Sequence, residues 1–190
     1  MSQIVEKARL RKQLLDARDA LSLDFIKIAS SKVQDNLRKV EYYRTAASIG
    51  AYYSIGSEVQ TQGILQEILN AGKDLALPKV VKSNLVFKKI PKLSDLEVGN
   101  FSVMEPKDRC ETIKRLDVMI VPAIALTREG YRLGYGFGFY DRFLHSKKSK
   151  KIALSYSKQI VKTIPHDAHD VIMDCIVTED EIIYPKNAGT

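Results

Sequence analysis

Short apolar runs, separated by stretches of helical periodicity, limit the possible folds of this chain more than any other feature. Strands are predicted over residues 48–53, 74–78, 85–90, 118–122, 151–156 and 174–178, and the second is expected to stop at Pro78. Most of the runs are continuously apolar, which is typical of parallel strands that are buried on both faces. The pattern therefore predicts an α/β fold with a largely parallel sheet, whose ligand loops lie at the carboxyl ends of the strands.

Helical periodicity opens the chain and recurs between the strands. One helical face is predicted from Leu10, Leu14, Ala17 and Leu21. A second helix follows Ser22, which is a suitable N-cap, and a third is closed by Gly72. The proline, glycine and aspartate content of residues 91–111 predicts loops around a strand fragment.

Length and composition favour one domain over residues 1–190, because 190 residues with 45% hydrophobic content can bury a core. No apolar stretch approaches the roughly 20 residues of a bilayer span, and the basic N-terminus does not resemble a signal peptide. Cys110 and Cys175 lie far apart, so we expect reduced thiols and a cytoplasmic location. The net charge of +7 is compatible with nucleic acid, a membrane surface or a small polyanion such as a nucleotide.

The most informative segment is the glycine-rich sequence from Arg132 to Arg142, RLGYGFGFYDR. It lacks the third glycine of the dinucleotide fingerprint, since Phe139 stands there, and the chain has no Gly-Lys-Ser/Thr triplet of a P-loop. Its glycine amides lead into a predicted helix, where an anion is favoured. The flanking arginines could bind phosphate oxygens, and Asp141 could hold a divalent cation.

The segment VPAIALTREGYRLGYGFGFYDRFL, residues 121–144, resembles the signature of the 5-formyltetrahydrofolate cyclo-ligase family. Three further segments match in order: KARLRKQLLDAR, AYYSIGSEVQTQGIL and QIVKTIPHDAHDVIMDCIVTED. The resemblance implies an α/β/α sandwich like that of the ribose-5-phosphate isomerase and CoA-transferase group. It also implies ATP-dependent cyclisation of 5-formyltetrahydrofolate to 5,10-methenyltetrahydrofolate, with release of ADP and phosphate and with Mg²⁺ as cofactor.

The resemblance also implies roles for individual residues. The implied ATP contacts are Lys7, Arg11, Arg132, Leu133, Gly134, Tyr135, Gly136, Phe137, Gly138, Phe139 and Tyr140. Arg132 and Tyr140 are the expected catalytic residues. The implied folate contacts are Tyr53, Glu58, Tyr135, Gly136, Phe137, Gly138 and Phe139. Relatives usually carry tyrosine where this chain has Phe139, so any hydrogen bond from that hydroxyl is lost here.

Asp141 and Asp174 are the magnesium ligands that the resemblance implies, and two carboxylates suffice when phosphates and water complete the shell. His166 and His169 lie near acidic residues, but their spacing is a weak zinc signal. We expect a structural or substrate-adjacent role for this pair instead.

Two alternatives remain open at the level of sequence. One is a sugar-phosphate isomerase-like enzyme on the same fold class, and the other is a basic nucleic-acid-binding domain. The favoured interpretation is a monomer that binds neither nucleic acid nor membrane. Its partners are ATP and 5-formyltetrahydrofolate, the latter with or without a polyglutamate tail.

Overall fold

An eight-stranded sheet organises the fold in the computed structural model, which describes residues 3–99, 103–145 and 147–186. The helices are α1 (Gln3–Asp19), α2 (Leu23–Leu37), α3 (Glu41–Thr45), α4 (Gln62–Asn70) and α5 (Phe139–Leu144). The strands are β1 (Ser48–Gly50), β2 (Asp74–Val81), β3 (Asn84–Lys89), β4 (Leu96–Val98), β5 (Met104–Pro106), β6 (Thr112–Ile113), β7 (Val118–Val121), β8 (Ala125–Thr127), β9 (Arg132–Leu133), β10 (Lys150–Leu154), β11 (Ile160–Val161), β12 (Cys175–Val177) and β13 (Ile182–Ile183).

The large sheet has the order β13-β12-β10-β7-β1-β2-β3-β6, and its five central strands from β12 to β2 are parallel. The outer strands β13, β3 and β6 each pair antiparallel with their neighbour. Strand β1 pairs with β2 on one side and with β7 on the other, so the chain reverses its direction of winding at β1. The predicted α/β fold with a largely parallel sheet is confirmed.

Both faces of the central strands are buried, as their continuous apolar sequences predict. Along β7, Ile120 packs into a cluster that contains residues of α2 and α4, whereas Val121 packs into a second cluster on the opposite face. Leu144 of α5 belongs to this second cluster. The sheet is therefore covered by helices on both sides, as in a three-layer α/β/α arrangement.

The expected end of β2 at Pro78 is wrong, because the strand continues to Val81 and forms a hairpin with β3. The N–H of Val80, two residues further along, points away from β3 towards Glu105. Pro78 has the same orientation by the period-two rule, so the N–H that it lacks is not needed in the β2–β3 ladder.

Several local predictions are confirmed. The Ser22 side chain caps α2 by accepting a hydrogen bond of 3.2 Å from the backbone N–H of Phe25. Gly72 follows α4 in the left-handed conformation, with φ of +70°. Cys110 and Cys175 are both free thiols. Within the described ranges, no helix is long and apolar enough to cross a membrane.

Candidate active site

A cavity of about 440 Å³ opens at the carboxyl ends of β1, β2 and β7, where the winding of the sheet reverses. Ligands of open α/β sheets bind at such switch points. All the residues to which the resemblance assigns a role line this cavity except Asp174, and Arg142, the second arginine that flanks the glycine-rich segment, does not line it either. Helix α1 and the glycine-rich segment 132–141, which are distant in sequence, both line the cavity.

The N-terminal helix presents its predicted pair of cations to the cavity. The Lys7 Nζ donates to Asp170 Oδ2 at 2.8 Å, and the Arg11 Nε donates to the carbonyl oxygen of Gly134 at 2.8 Å. Arg9 is exposed, as its position between the two predicts. Asp170 is a cavity residue that sequence reasoning did not single out, although it belongs to the histidine-aspartate cluster.

Gly136 and Gly138 have positive φ, +99° and +66°, a backbone conformation that favours glycine. Guanidinium groups also lie against this backbone. A Cβ atom at Gly136 would lie 3.1 Å from the Arg11 Cζ, and one at Gly138 would lie 2.8 Å from the Arg142 Nη1. The loop therefore has two arginine side chains packed against it.

We expect Gly136→Ala to weaken nucleotide binding as well as stability. The positive φ should cost about 1–2 kcal/mol of unfolding free energy, and the new Cβ should displace the Arg11 guanidinium. Gly72→Ala is the matched control, because Gly72 also has positive φ but a Cβ atom there would meet no described neighbour within 4 Å. Thermal unfolding should show losses in both variants, whereas the KM for ATP should rise only in Gly136→Ala. An equal rise of the KM for ATP in both variants would show that the contact between Gly136 and Arg11 has no role in nucleotide binding.

Arg132 and Asp141 form an ion pair on the wall of the cavity. The Arg132 Nη2 donates to Asp141 Oδ1 at 2.7 Å, and the exposed fractions of the two side chains are 4% and 32%. The Nε of Arg132 is buried and has no hydrogen-bond partner among the described residues. The guanidinium thus lines the cavity with part of its donor capacity unused.

Glu58 is a buried carboxylate that lines the cavity next to the glycine-rich segment. Its Oε1 accepts a hydrogen bond of 2.5 Å from the Tyr135 hydroxyl, and its Oε2 accepts one of 2.9 Å from the backbone N–H of Ile55. Burial raises the pKa of Glu58 above its ordinary value of 4.5, and both hydrogen bonds oppose that rise. Glu58 and Tyr135, which the resemblance assigns to the folate site, are therefore in direct contact.

Aromatic residues complete the cavity. The Arg132 Cζ lies 5.7 Å from the ring centroid of Tyr140, which meets Phe87 edge-on. Burial raises the pKa of Tyr140 well above its ordinary value, so its phenol keeps its proton at neutral pH and can donate a hydrogen bond. Phe139 stacks on Phe137 with ring centroids 5.9 Å apart, so the aromatic face expected at Phe139 is present.

The structure does not bring Asp174 to this site. Asp174 precedes β12, and its backbone N–H bonds to Lys151, which pairs with Met119 of β7. Pro122, which lines the cavity, lies three residues beyond Met119, about 10 Å further along the strands. The Asp174 oxygens accept instead from Lys150 Nζ and from the backbone N–H of Lys151, at 3.2 and 2.8 Å. The expected pairing of Asp141 with Asp174 is not formed.

Sequence reasoning missed further cavity residues, among them two with polar side chains. Tyr52 is buried next to Tyr53, where the sequence indicated only a strand. Glu105 is buried on β5, and its hydrogen bond from the Val80 N–H is long, at 3.4 Å. No periodicity marks Glu105, because β4 and β5 are three-residue strands within the irregular segment 91–111.

The cavity places the chain among α/β enzymes that bind their ligands at a switch point of the sheet. The chain belongs to the 5-formyltetrahydrofolate cyclo-ligase family, whose sequence model matches residues 3–179. The probable 5-formyltetrahydrofolate cyclo-ligase of Caenorhabditis elegans is 27% identical, over 96% of this chain and 98% of its own. The Mycolicibacterium smegmatis 5-formyltetrahydrofolate cyclo-ligase is 33% identical, over 69% of this chain and 73% of its own.

A solved structure agrees with both the fold and the family. The 5,10-methenyltetrahydrofolate synthetase of Aquifex aeolicus superposes with a TM-score of 0.87 at 33% identity, and the match covers 97% of this chain and 95% of that one. The family resemblance drawn from the glycine-rich segment, and the assignment as a cyclo-ligase, are therefore confirmed.

Proposed function

We propose that this enzyme uses ATP to cyclise 5-formyltetrahydrofolate to 5,10-methenyltetrahydrofolate, releasing ADP and phosphate. The observation that supports this most strongly is one cavity lined by two chemically different sets of groups. Arginines at the glycine-rich segment are suited to phosphates, and the buried carboxylate of Glu58 is suited to a ring with N–H donors.

The chemistry needs activation of a poor electrophile. A formamide carbonyl is unreactive because its nitrogen donates electrons into it. Transfer of the γ-phosphoryl group to the formyl oxygen makes that oxygen a leaving group. The substrate's N10 then attacks the formyl carbon. The N10 proton passes to solvent or to the departing phosphate, and the C–O bond breaks to release phosphate. No protein nucleophile is required, so catalysis consists of positioning and charge stabilisation.

Arg11, Arg132 and the loop amides are the groups we assign to the ATP phosphates, with Lys7 beside them. Arg132 is the expected catalytic cation, because its buried guanidinium can stabilise charge on the transferring phosphoryl group. Tyr140 stays protonated and can donate a hydrogen bond to a phosphoryl or formyl oxygen. Tyr53 and Glu58 bind the folate ring in this proposal.

Asp141 fits a magnesium ion that is held mainly by nucleotide phosphates. Its carboxylate is partly exposed on the cavity wall, and one of its oxygens faces Arg132. No group of three or more potential metal-ligating side chains occurs in the described part of the chain, which suits a cation with few protein ligands. When bound, magnesium would neutralise charge on the β- and γ-phosphates.

The proposal extends to polyglutamylated forms of the folate and to a single-domain, cytoplasmic monomer. The net charge of +7 favours anionic substrates, and each added glutamate of a folate tail contributes a further negative charge. We expect gel filtration to give the mass of one chain, and we expect folates with longer tails to be turned over as well.

We expect Arg132→Ala to weaken ATP binding about 10- to 100-fold, because charge-assisted hydrogen bonds contribute about 1.5–3 kcal/mol each. Folate affinity should change less. Calorimetric titration with each ligand measures both effects. Arg128→Ala is the control, since Arg128 is an exposed arginine that pairs with Glu181 and does not line the cavity. An unchanged ATP affinity in Arg132→Ala would contradict the assignment.

The function itself is tested by absorbance spectroscopy. Protein, 5-formyltetrahydrofolate, MgCl₂ and ATP are mixed, and the ultraviolet band of the conjugated methenyl product is followed. Product should form only with ATP present, and ADP should accumulate in equal amount. A protein that binds both ligands yet forms no product would overturn the proposal. Product formation without ATP would show a different reaction.

A further inference from the structure

Arg18 occupies a buried position near the end of α1, where the sequence predicted only a helical face. The expected apolar residue Ala17 is exposed, whereas Arg18 is 4% exposed. Its Nε donates to Ser57 Oγ at 3.0 Å, and its Nη2 donates to the Tyr135 hydroxyl oxygen at 3.0 Å. Ser57 in turn donates to Asp19. Arg18 therefore joins α1 to both the loop that carries Glu58 and the glycine-rich segment.

The donor capacities of these groups fix the direction of the hydrogen bonds. A guanidinium only donates, so the Tyr135 oxygen must accept from Arg18. The single Tyr135 proton is then directed at Glu58 Oε1, at 2.5 Å. The Ile55 N–H donates to Oε2. Glu58 is thus surrounded by donors on both oxygens, which favours its ionised form.

Arg18 also supplies a positive charge near Glu58, and this charge lowers the pKa of the Glu58 carboxyl. The other titratable groups around the carboxylate are phenols: Tyr135 on the glycine-rich segment, Tyr52 after β1, Tyr140 on α5 and Tyr156 after β10. Burial raises the pKa of each phenol above its ordinary value of 10, so they remain neutral across the working range of an enzyme.

We propose that Arg18 is a positioning residue that acts through Tyr135, directing the tyrosine proton onto Glu58 and so holding Glu58 as a charged acceptor for substrate N–H groups. The proposal rests on the proposed function only in naming the folate ring as the group that Glu58 meets. The glycine-rich motif predicts neither the role of Arg18 nor the relay, by which we mean the hydrogen bonds from Arg18 through Tyr135 to Glu58. Arg18 lies on α1 and does not line the cavity.

The ligand-free protein provides the first test. Glutamate carboxyl carbons are labelled with ¹³C, and the Glu58 signal is assigned by its loss in Glu58→Gln. We expect Arg18→Met to move the Glu58 titration midpoint upward by about one pH unit. In a Tyr135→Phe background the same substitution should move it by less than half as much. An equal movement in both backgrounds would show that Arg18 acts only as a nearby charge, which overturns the relay.

Steady-state kinetics provides the second test. Arg18→Met should raise the KM for folate about tenfold and move the acid limb of kcat/KM for folate to higher pH, with little change in ATP affinity. Leu14→Ala, which removes packing of α1 against a small apolar cluster, is the control for lost stability. It should lower the melting temperature without moving the pH profile or the Glu58 titration.

The two proposals fail in distinguishable ways. If wild-type protein forms no methenyl product, the proposed function fails, and the Glu58 titration still decides the role of Arg18. If Arg18→Met is active, keeps the wild-type folate KM and leaves both the acid limb and the titration midpoint in place, the role proposed for Arg18 is wrong.

Discussion

Asp141→Asn should lower kcat by about 100- to 1,000-fold, which is the effect of removing one group that stabilises transition-state charge. The amide keeps the shape of the side chain, but a magnesium ion on the nucleotide loses its carboxylate. Turnover should recover partly as magnesium is raised. Measuring the rate against magnesium concentration tests this expectation.

The ion pair with Arg132 requires a separate measurement of stability. Because the Arg132 side chain is only 4% exposed, loss of its charged partner should cost about 1–3 kcal/mol of unfolding free energy. Thermal unfolding of Asp141→Asn measures that loss. A folded variant with wild-type magnesium dependence would show that Asp141 only pairs with Arg132 and does not bind magnesium.

Asp174→Asn is the matched control for Asp141→Asn. The family resemblance implies a metal role for both aspartates, but the structure places Asp174 near the amino ends of β10 and β12, between Lys150 and Lys151. We expect its substitution to leave magnesium dependence unchanged. A shift comparable to that of Asp141→Asn would show that both residues are linked to the metal.

Glu58→Gln should raise the KM for folate about 5- to 150-fold, corresponding to about 1–3 kcal/mol, while ATP binding changes little. The amide nitrogen must face either the Ile55 N–H or the Tyr135 hydroxyl, and both donate to Glu58. The substitution therefore removes the charge and also removes the acceptor of one of these two hydrogen bonds, because an amide NH₂ group only donates. Steady-state kinetics with each substrate varied in turn measures the effect.

The other buried carboxylate of the cavity serves as the comparison. Glu105→Gln also removes a negative charge, from the wall formed by β5. We expect a smaller change in the KM for folate, because the tyrosine-arginine network surrounds Glu58. A large change of the KM for folate in Glu105→Gln, with none in Glu58→Gln, would show that Glu105 on β5 binds the folate and Glu58 does not.

The glycine-rich segment could be singled out from the sequence because its pattern is local. Its glycines alternate with large residues, and arginine and aspartate flank them, so a phosphate loop could be inferred without tertiary contacts. The structure adds the reason for two of the glycines, since the guanidinium groups of Arg11 and Arg142 lie against Gly136 and Gly138. The spacing of Lys7 and Arg11 likewise placed both cations on one face of α1.

Local pattern could not predict contacts made across the fold. Arg18 follows Ala17 on a helix whose apolar periodicity predicts a different buried face, yet α1 turns Arg18 inward to meet Ser57 and Tyr135. Glu105 lies in short strands that have too few residues to show a period. Arg18 lies 39 positions from Ser57 and 117 positions from Tyr135, so only packing can bring these residues together.

By itself, the sequence determined the α/β class and the buried strands, because these depend on apolar periodicity. The motifs that carry the family resemblance indicated the family and part of the cavity lining, above all the contiguous glycine-rich segment. The tertiary structure alone decided which carboxylates share that cavity. The family resemblance implies a metal role for both Asp141 and Asp174, whereas the glycine-rich segment by itself points only to Asp141. Asp174 precedes β12 and so lies at the amino ends of the parallel strands, whereas Asp141 lines the cavity at their carboxyl ends.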